Sequence, residues 1–151
     1  MKILFVCTGN TCRSCMAEAI FNSMSNRGRI TAQSAGILVT SHNKTSKNAS
    51  LVIKENLNTD ISDRLAVQLM PEMIRQADYI FTMTAGLKNS VSSNFPEYKN
   101  KIFSLPEFVG ESDDVIDPMG GDITVYRKTF AQLKVYIIFL ITRLKEDRGI
   151  Y

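Results

Sequence analysis

The sequence predicts an α/β protein with a central four-stranded parallel sheet and helices on both faces, in one domain spanning residues 1–151. Three observations carry that prediction. Strand-length apolar runs alternate with helix-length amphipathic stretches, the βαβα pattern of a parallel sheet. The first strand runs through a short polar loop directly into a helix. The chain has 151 residues, 44% of them hydrophobic and 22% charged, enough for one real core and typical of a globular protein.

Taken in order, residues 2–7 form a buried strand, followed by a helix over 13–26. On that helix Met16, Ala17, Ile20, Phe21 and Met24 recur at helical spacing on one face. A second strand near 30–34 ends at Ser34-Ala35-Gly36. A helix over about 45–57 buries Ala49, Val52, Ile53 and Leu57, and a short helix follows near 68–75. The third strand is Tyr79-Ile80-Phe81-Thr82-Met83, then a helix over about 85–94 and a short strand at Ile102–Leu105. Residues 106–121, rich in Gly, Pro and acidic side chains, read as a long loop. The last helix covers 122–146, with Asp122 as its N-cap. In open sheets of this kind ligands bind beyond the C-terminal strand ends, where the loop after the first strand sits.

Composition narrows the function classes. The net charge is +3, from 18 Lys and Arg against 15 Asp and Glu, with both signs dispersed. Without a basic block or basic–aromatic stripe, nucleic acid is not an expected partner. Val135–Ile141 is a seven-residue apolar run, far short of the about 20 a membrane span requires, and reads as a buried helix face. No signal peptide is expected, and three clustered cysteines do not make a secreted disulfide framework, so the expected address is the cytoplasm. The expected state is a monomer.

The chemistry lies in Cys7-Thr8-Gly9-Asn10-Thr11-Cys12-Arg13-Ser14. A loop from strand end to helix start turns its backbone N–H groups toward the positive end of the helix dipole. Gly9 and Asn10 tolerate the positive φ that a ring of amides needs. Arg13 adds a planar fork matched to two oxygens of a phosphate-like dianion. Such a pocket stabilises a sulfur anion on Cys7, to which Ser14 can donate a hydrogen bond. A thiolate beneath a tetrahedral oxyanion is placed to attack phosphorus. The departing group then needs a proton, and Asp117, fixed in direction by Pro118, is the candidate acid and later the base for water.

Cys7-x5-Arg13-Ser14 after the first strand, with Asp117-Pro118 near the C-terminus and Ser34-x-Gly36 after the second strand, resembles the low-molecular-weight protein phosphatase family over essentially the whole chain. The resemblance implies that family's flavodoxin-like fold and a cofactor- and metal-free reaction on phosphorylated protein substrates. It assigns Cys7 as nucleophile, Arg13 as phosphate clamp and Asp117 as acid. Thr8, Gly9, Asn10, Thr11, Cys12 and Ser14 form the phosphate-binding loop, with Ser34 supporting Asn10. Tyrosine-specific members typically carry a branched aliphatic residue at the position of Thr11 and aromatic residues after Asp-Pro, forming a slot for a phenol ring. This chain has Thr11, Met119-Gly120-Gly121, and Met83-Thr84 where tyrosine members often have Met-Asp. It thus resembles the bacterial protein-arginine-phosphatase branch, with phosphotyrosine as the alternative substrate.

The other thiols are read more plainly. Cys12 is either a redox guard that forms a reversible disulfide with Cys7 or a small packing residue. Cys15 stands where the family usually has proline and reads as a neutral replacement. Cys12-x-x-Cys15 lacks the further ligands of a zinc site, since only Cys7 and His42 remain, and His42 reads as solvated. Glu111–Asp114 reads as a solvated acidic loop and Tyr126 as core. A thioredoxin-coupled arsenate reductase, built on the same scaffold, needs cysteines downstream of Cys15, and there are none. A non-catalytic phosphate-binding redox sensor would need neither the nucleophile nor Asp117.

Overall fold

The computed structural model describes residues 1–25 and 28–148; Asn26, the expected end of the first helix, and residues 149–151 of the expected domain lie outside the described residues. Strand β1 (Lys2–Cys7) lies inside the sheet because its side chains are apolar on both faces. It pairs in parallel with β2 (Thr31–Gly36) on one side and β3 (Tyr79–Thr82) on the other, and β3 pairs with β4 (Ile102–Ser104). The order β2-β1-β3-β4 reverses direction at β1, so the crevice of the doubly wound sheet opens beside Cys7, which is in register with Gly36.

Alternation along β1 divides the core. Ile3, Phe5 and Cys7 point to one face, against Met16, Ile20 and Phe21 of α1 (Arg13–Met24), Val52 and Ile53 of α2 (Lys47–Leu57) and Leu133, Ile137 and Leu140 of the last helix. Leu4 and Val6 point to the other, against Ile74 of α3 (Pro71–Gln76) and Val91 of α4 (Ala85–Asn94). Both faces of the sheet are thus covered, as expected.

Four differences from the sequence reading have physical causes. The segment before α3 is extended, not helical, because Gly36 N–H donates to the Val67 carbonyl and Leu69 N–H to the Gly36 carbonyl. Pro71 then starts the helix. Inside the expected 106–121 loop sits α5 (Leu105–Val109), held by a capping box between Ser104 and Glu107 and ended by Gly110 at φ 82°. Asp114 is more than a solvated acid: its carboxylate accepts the Ala85 N–H at 2.9 Å, at the start of α4. In α6 (Ile123–Arg148) the apolar run does not form one buried face. Tyr136, Ile137, Leu140 and Ile141 are buried, whereas Val135, Ile138 and Phe139 are exposed, since seven consecutive helical residues point all round the axis. Asp122 caps α6 as expected, accepting the N–H groups of Thr124 and Val125. Among the described residues no helix is long and apolar enough to cross a membrane.

Candidate active site

Beyond β1 the chain turns through Cys7–Cys12 and enters α1 at Arg13. Asn10 adopts φ 57°, a left-handed conformation asparagine tolerates, and this turns its N–H onto the Cys7 sulfur at 3.2 Å. The Ser14 hydroxyl lies 2.8 Å from the same sulfur.

The groups around Ser14 hold it in place. The Asn10 side-chain oxygen accepts from Arg64 Nη1 and from Val67 N–H, each at 2.9 Å, and both of these groups only donate. Its amide nitrogen therefore faces Ser14 Oγ at 2.7 Å and Ser34 Oγ at 3.0 Å and donates to both. The Ser14 oxygen thus accepts from Asn10 while sharing a hydrogen bond with the Cys7 sulfur. Ser34 also accepts from Arg64 Nη2 at 2.7 Å and donates to Glu18 at 3.2 Å, which is ion-paired with Arg64 at 3.3 Å. The network ends at the Cys7 sulfur, on which the Asn10 N–H and the Ser14 hydroxyl converge.

Arg13 is buried, and its guanidinium stands 3.6 Å from the Asp117 carboxylate, whose side chain is 54% exposed. Asp117 also accepts the Met119 N–H at 3.1 Å, which fixes the direction of the carboxylate. Cys7, Thr8, Gly9, Asn10, Thr11, Cys12, Arg13, Asp117 and Met119 line one cleft of about 120 Å³. The predicted loop and the distant aspartate therefore meet. Ser14 and Ser34 lie behind the cleft, as support.

Cys7, Cys12 and Cys15 are all free thiols. Cys12 is hydrogen-bonded by Ser46 at 3.2 Å and by Tyr126 at 3.4 Å, so Tyr126, though buried, touches the loop and is more than core packing. Burial, then the contact with Cys12, pushes the Tyr126 phenol up to about 12. Cys15 points away from the cleft and donates to the Cys12 carbonyl, and burial pushes its thiol well up. His42 is exposed. Among the described residues, no group of three or more His, Cys, Asp or Glu side chains is placed to hold a metal.

Two residues of the network escape the sequence reading. Glu18 follows Ser14 by four residues, one helical turn on the same face, which is a usable signal. Arg64 has none, because it comes from an irregular segment whose partners are 30 to 54 residues away.

The first strand of a doubly wound sheet delivers a cysteine into a short loop that enters a helix, with an arginine and an aspartate ion-paired at the same cleft, the architecture of a cysteine-loop hydrolase. The chain belongs to the low molecular weight phosphotyrosine protein phosphatase family, whose model matches residues 2–149. It is 39% identical to a protein-arginine-phosphatase of Bacillus subtilis, over 98% of this chain and 99% of that one. Among solved structures, a YwlE arginine phosphatase, a cysteine-to-serine mutant with a phosphorylated active-site serine, is 36% identical, with all of both chains covered and a TM-score of 0.91. A low molecular weight protein tyrosine phosphatase from T. tengcongensis is 43% identical over 95% of this chain and 99% of that one, with a TM-score of 0.90.

Proposed function

We infer that the protein hydrolyses phosphoarginine in phosphorylated proteins through a thiophosphate on Cys7. The single observation that carries this reading is the Cys7 sulfur, hydrogen-bonded to the Asn10 N–H and the Ser14 hydroxyl in a cleft that Arg13 and Asp117 also line. In the first step the sulfur attacks phosphorus. The S–P bond forms as the P–N bond breaks, and Asp117 gives its proton to the departing guanidino nitrogen. Arg13 and the amides from Thr8 to Arg13 hold the phosphoryl oxygens, whose charge grows in the transition state. In the second step Asp117 takes a proton from water, which attacks phosphorus. The S–P bond breaks and leaves the thiolate and inorganic phosphate. Neither step calls on a metal.

Arginine specificity is supported by the cleft wall, where Thr11 offers a hydroxyl and Met119-Gly120-Gly121 supplies no aromatic slot. It is supported too by the names of the Bacillus relative and the phosphorylated mutant. The relative called a tyrosine phosphatase at 43% identity supports the second reading, phosphotyrosine. Initial rates on matched phosphoarginine and phosphotyrosine peptides separate them. The arginine reading expects wild type to prefer phosphoarginine and Thr11→Ile to shift toward phosphotyrosine, whereas a wild-type preference for phosphotyrosine refutes it. The setting we propose is a cytoplasmic monomer in which a peroxide oxidises Cys7 to a sulfenic acid, Cys12 condenses with it to a disulfide with loss of water, and a cellular dithiol reduces that disulfide back to the two thiols.

A further inference from the structure

A stripe of polar side chains runs along one face of α6: Tyr126, Thr129, Gln132 and Tyr136, three or four residues apart. Three of them hold the segment that leads to Asp117. The buried Thr129 hydroxyl donates to the Ile116 carbonyl at 3.2 Å, sharing its proton with the Val125 carbonyl of its own helix. The Gln132 side chain accepts the Ile116 N–H at 2.8 Å and donates to the Asp114 carbonyl at 3.0 Å. The Tyr136 hydroxyl donates to the Asp113 carbonyl at 2.9 Å. On the far side of Asp117, Asp122 caps the same helix. The acid is therefore carried by α6, to which its segment is attached both before and after it.

The fourth member of the stripe reaches the loop that holds the nucleophile. Tyr126 Oη lies 3.4 Å from the sulfur of Cys12, the residue before Arg13. Ser46, the N-cap of α2, places its hydroxyl 3.2 Å from the same sulfur and donates its N–H to the Thr11 carbonyl at 2.9 Å. The starts of α1, α2 and α6 thus meet at Cys12. Tyr126 is 5% exposed, and a phenol so buried needs a partner for its hydroxyl. Phe130, Leu133 and Ile137 pack α6 into the core, but apolar packing is non-directional. The Tyr126 contact instead joins one atom of the acid-bearing helix to one atom of the phosphate loop. The 3.6 Å pair between Arg13 and Asp117 does not serve this purpose during turnover, because the phosphoryl oxygens take the guanidinium. Tyr126 stands behind Cys12, outside the cleft lining, and keeps its bond.

We propose that Tyr126 is a positioning residue of the phosphatase: its hydroxyl, docked on Cys12, sets where α6 holds the Asp117 carboxylate relative to the Cys7 sulfur. The proposal rests on the phosphatase reading. The joint acts on the proton transfer that Asp117 performs, so its effect falls on the chemical step and not on substrate binding.

Two double-mutant cycles test it. The probe is whichever phosphopeptide, phosphoarginine or phosphotyrosine, wild type cleaves faster, read as the single-turnover rate of phosphoryl transfer with enzyme in excess. Tyr126→Phe keeps the ring and removes only the hydroxyl. It should lower that rate at least about threefold, with half-saturation unchanged. In an Asp117→Asn background the same change should alter the rate by less than about twofold, since no acid is left to place. Cys12→Ala cuts the joint from the loop side, and Tyr126→Phe added to it should also matter by less than about twofold. A smaller loss in Tyr126→Phe alone, or an equal loss with and without Asp117 or Cys12, overturns the positioning role while the phosphatase reading stands. A wild type that cleaves neither peptide overturns the phosphatase reading, and the positioning role with it.

Discussion

Gly36 closes β2 directly beside the Cys7–Ser14 loop, and adding one methyl group there tests whether loop geometry sets the rate. A Cβ at this position would lie 2.6 Å from the Thr8 carbonyl oxygen, 2.8 Å from the Val39 side chain and 3.0 Å from the Asn10 nitrogen. Two of these neighbours are backbone atoms of the loop. The Thr8 oxygen has to retreat by about 0.8 Å to restore an ordinary contact of 3.4 Å, and the Asn10 amide by about half as much. That amide donates to the Cys7 sulfur at 3.2 Å. Overpacking of this kind costs about 1–3 kcal/mol of stability, and a displacement approaching 1 Å at a reacting centre costs up to about 10²-fold in rate. Gly36→Ala is therefore expected to stay folded, melt lower and lose between ten- and a hundredfold in kcat on para-nitrophenyl phosphate. Gly86→Ala is the control: its Cβ meets nothing closer than 3.9 Å, near the start of α4, so stability should hold or rise slightly and activity should not change. Thermal melts and steady-state rates on the three proteins decide the matter. A Gly36→Ala enzyme with wild-type kcat would refute the claim that the position of the Asn10 amide controls the nucleophile.

Further outcomes follow from the same geometry. Arg64→Leu removes the donors to Asn10 and Ser34 and leaves Glu18 without its counter-charge, in a site where both charged side chains are largely covered. A loss of about 2–3 kcal/mol in denaturant unfolding is expected, together with a fall in kcat that Arg64→Lys only partly restores. Asp117→Asn is expected to slow phosphoarginine cleavage by about 10²-fold or more, while the first-turnover burst from para-nitrophenyl phosphate, whose leaving group needs little protonation, falls far less. Equal losses on both substrates would remove Asp117 from the acid role.

The regular elements were legible because their signals are local. Both sides of β1 are apolar and both are buried; the 3.6-residue spacing of Met16, Ile20 and Phe21 marks the face α1 buries; Asp122 sits where a cap belongs. The loop was legible for the same reason, since Cys7 through Ser14 is one continuous stretch. Residues that work through distant partners were not. Arg64 gains its role from Asn10, Ser34 and Glu18, which approach it only in the folded chain. Asp114 read as one of several solvated acids until the fold carried it to the start of α4. Helix α5 is a different case, because Ser104-x-x-Glu107 is a local capping-box signal that the surrounding Gly, Pro and acidic residues obscured. The exposure of Val135, Ile138 and Phe139 shows the limit of reading an apolar run without its helical phase.

The central claim is that the Cys7 sulfur becomes covalently phosphorylated during turnover. It is tested most directly by acid-quenching the enzyme while it hydrolyses a phosphoarginine peptide and mapping the modified residue by mass spectrometry. One phosphoryl group is expected on Cys7, appearing within the first turnover and decaying as substrate is exhausted, with no product formed by Cys7→Ala. Product formation with no phosphoryl group on Cys7, or with the group on another residue, would contradict it.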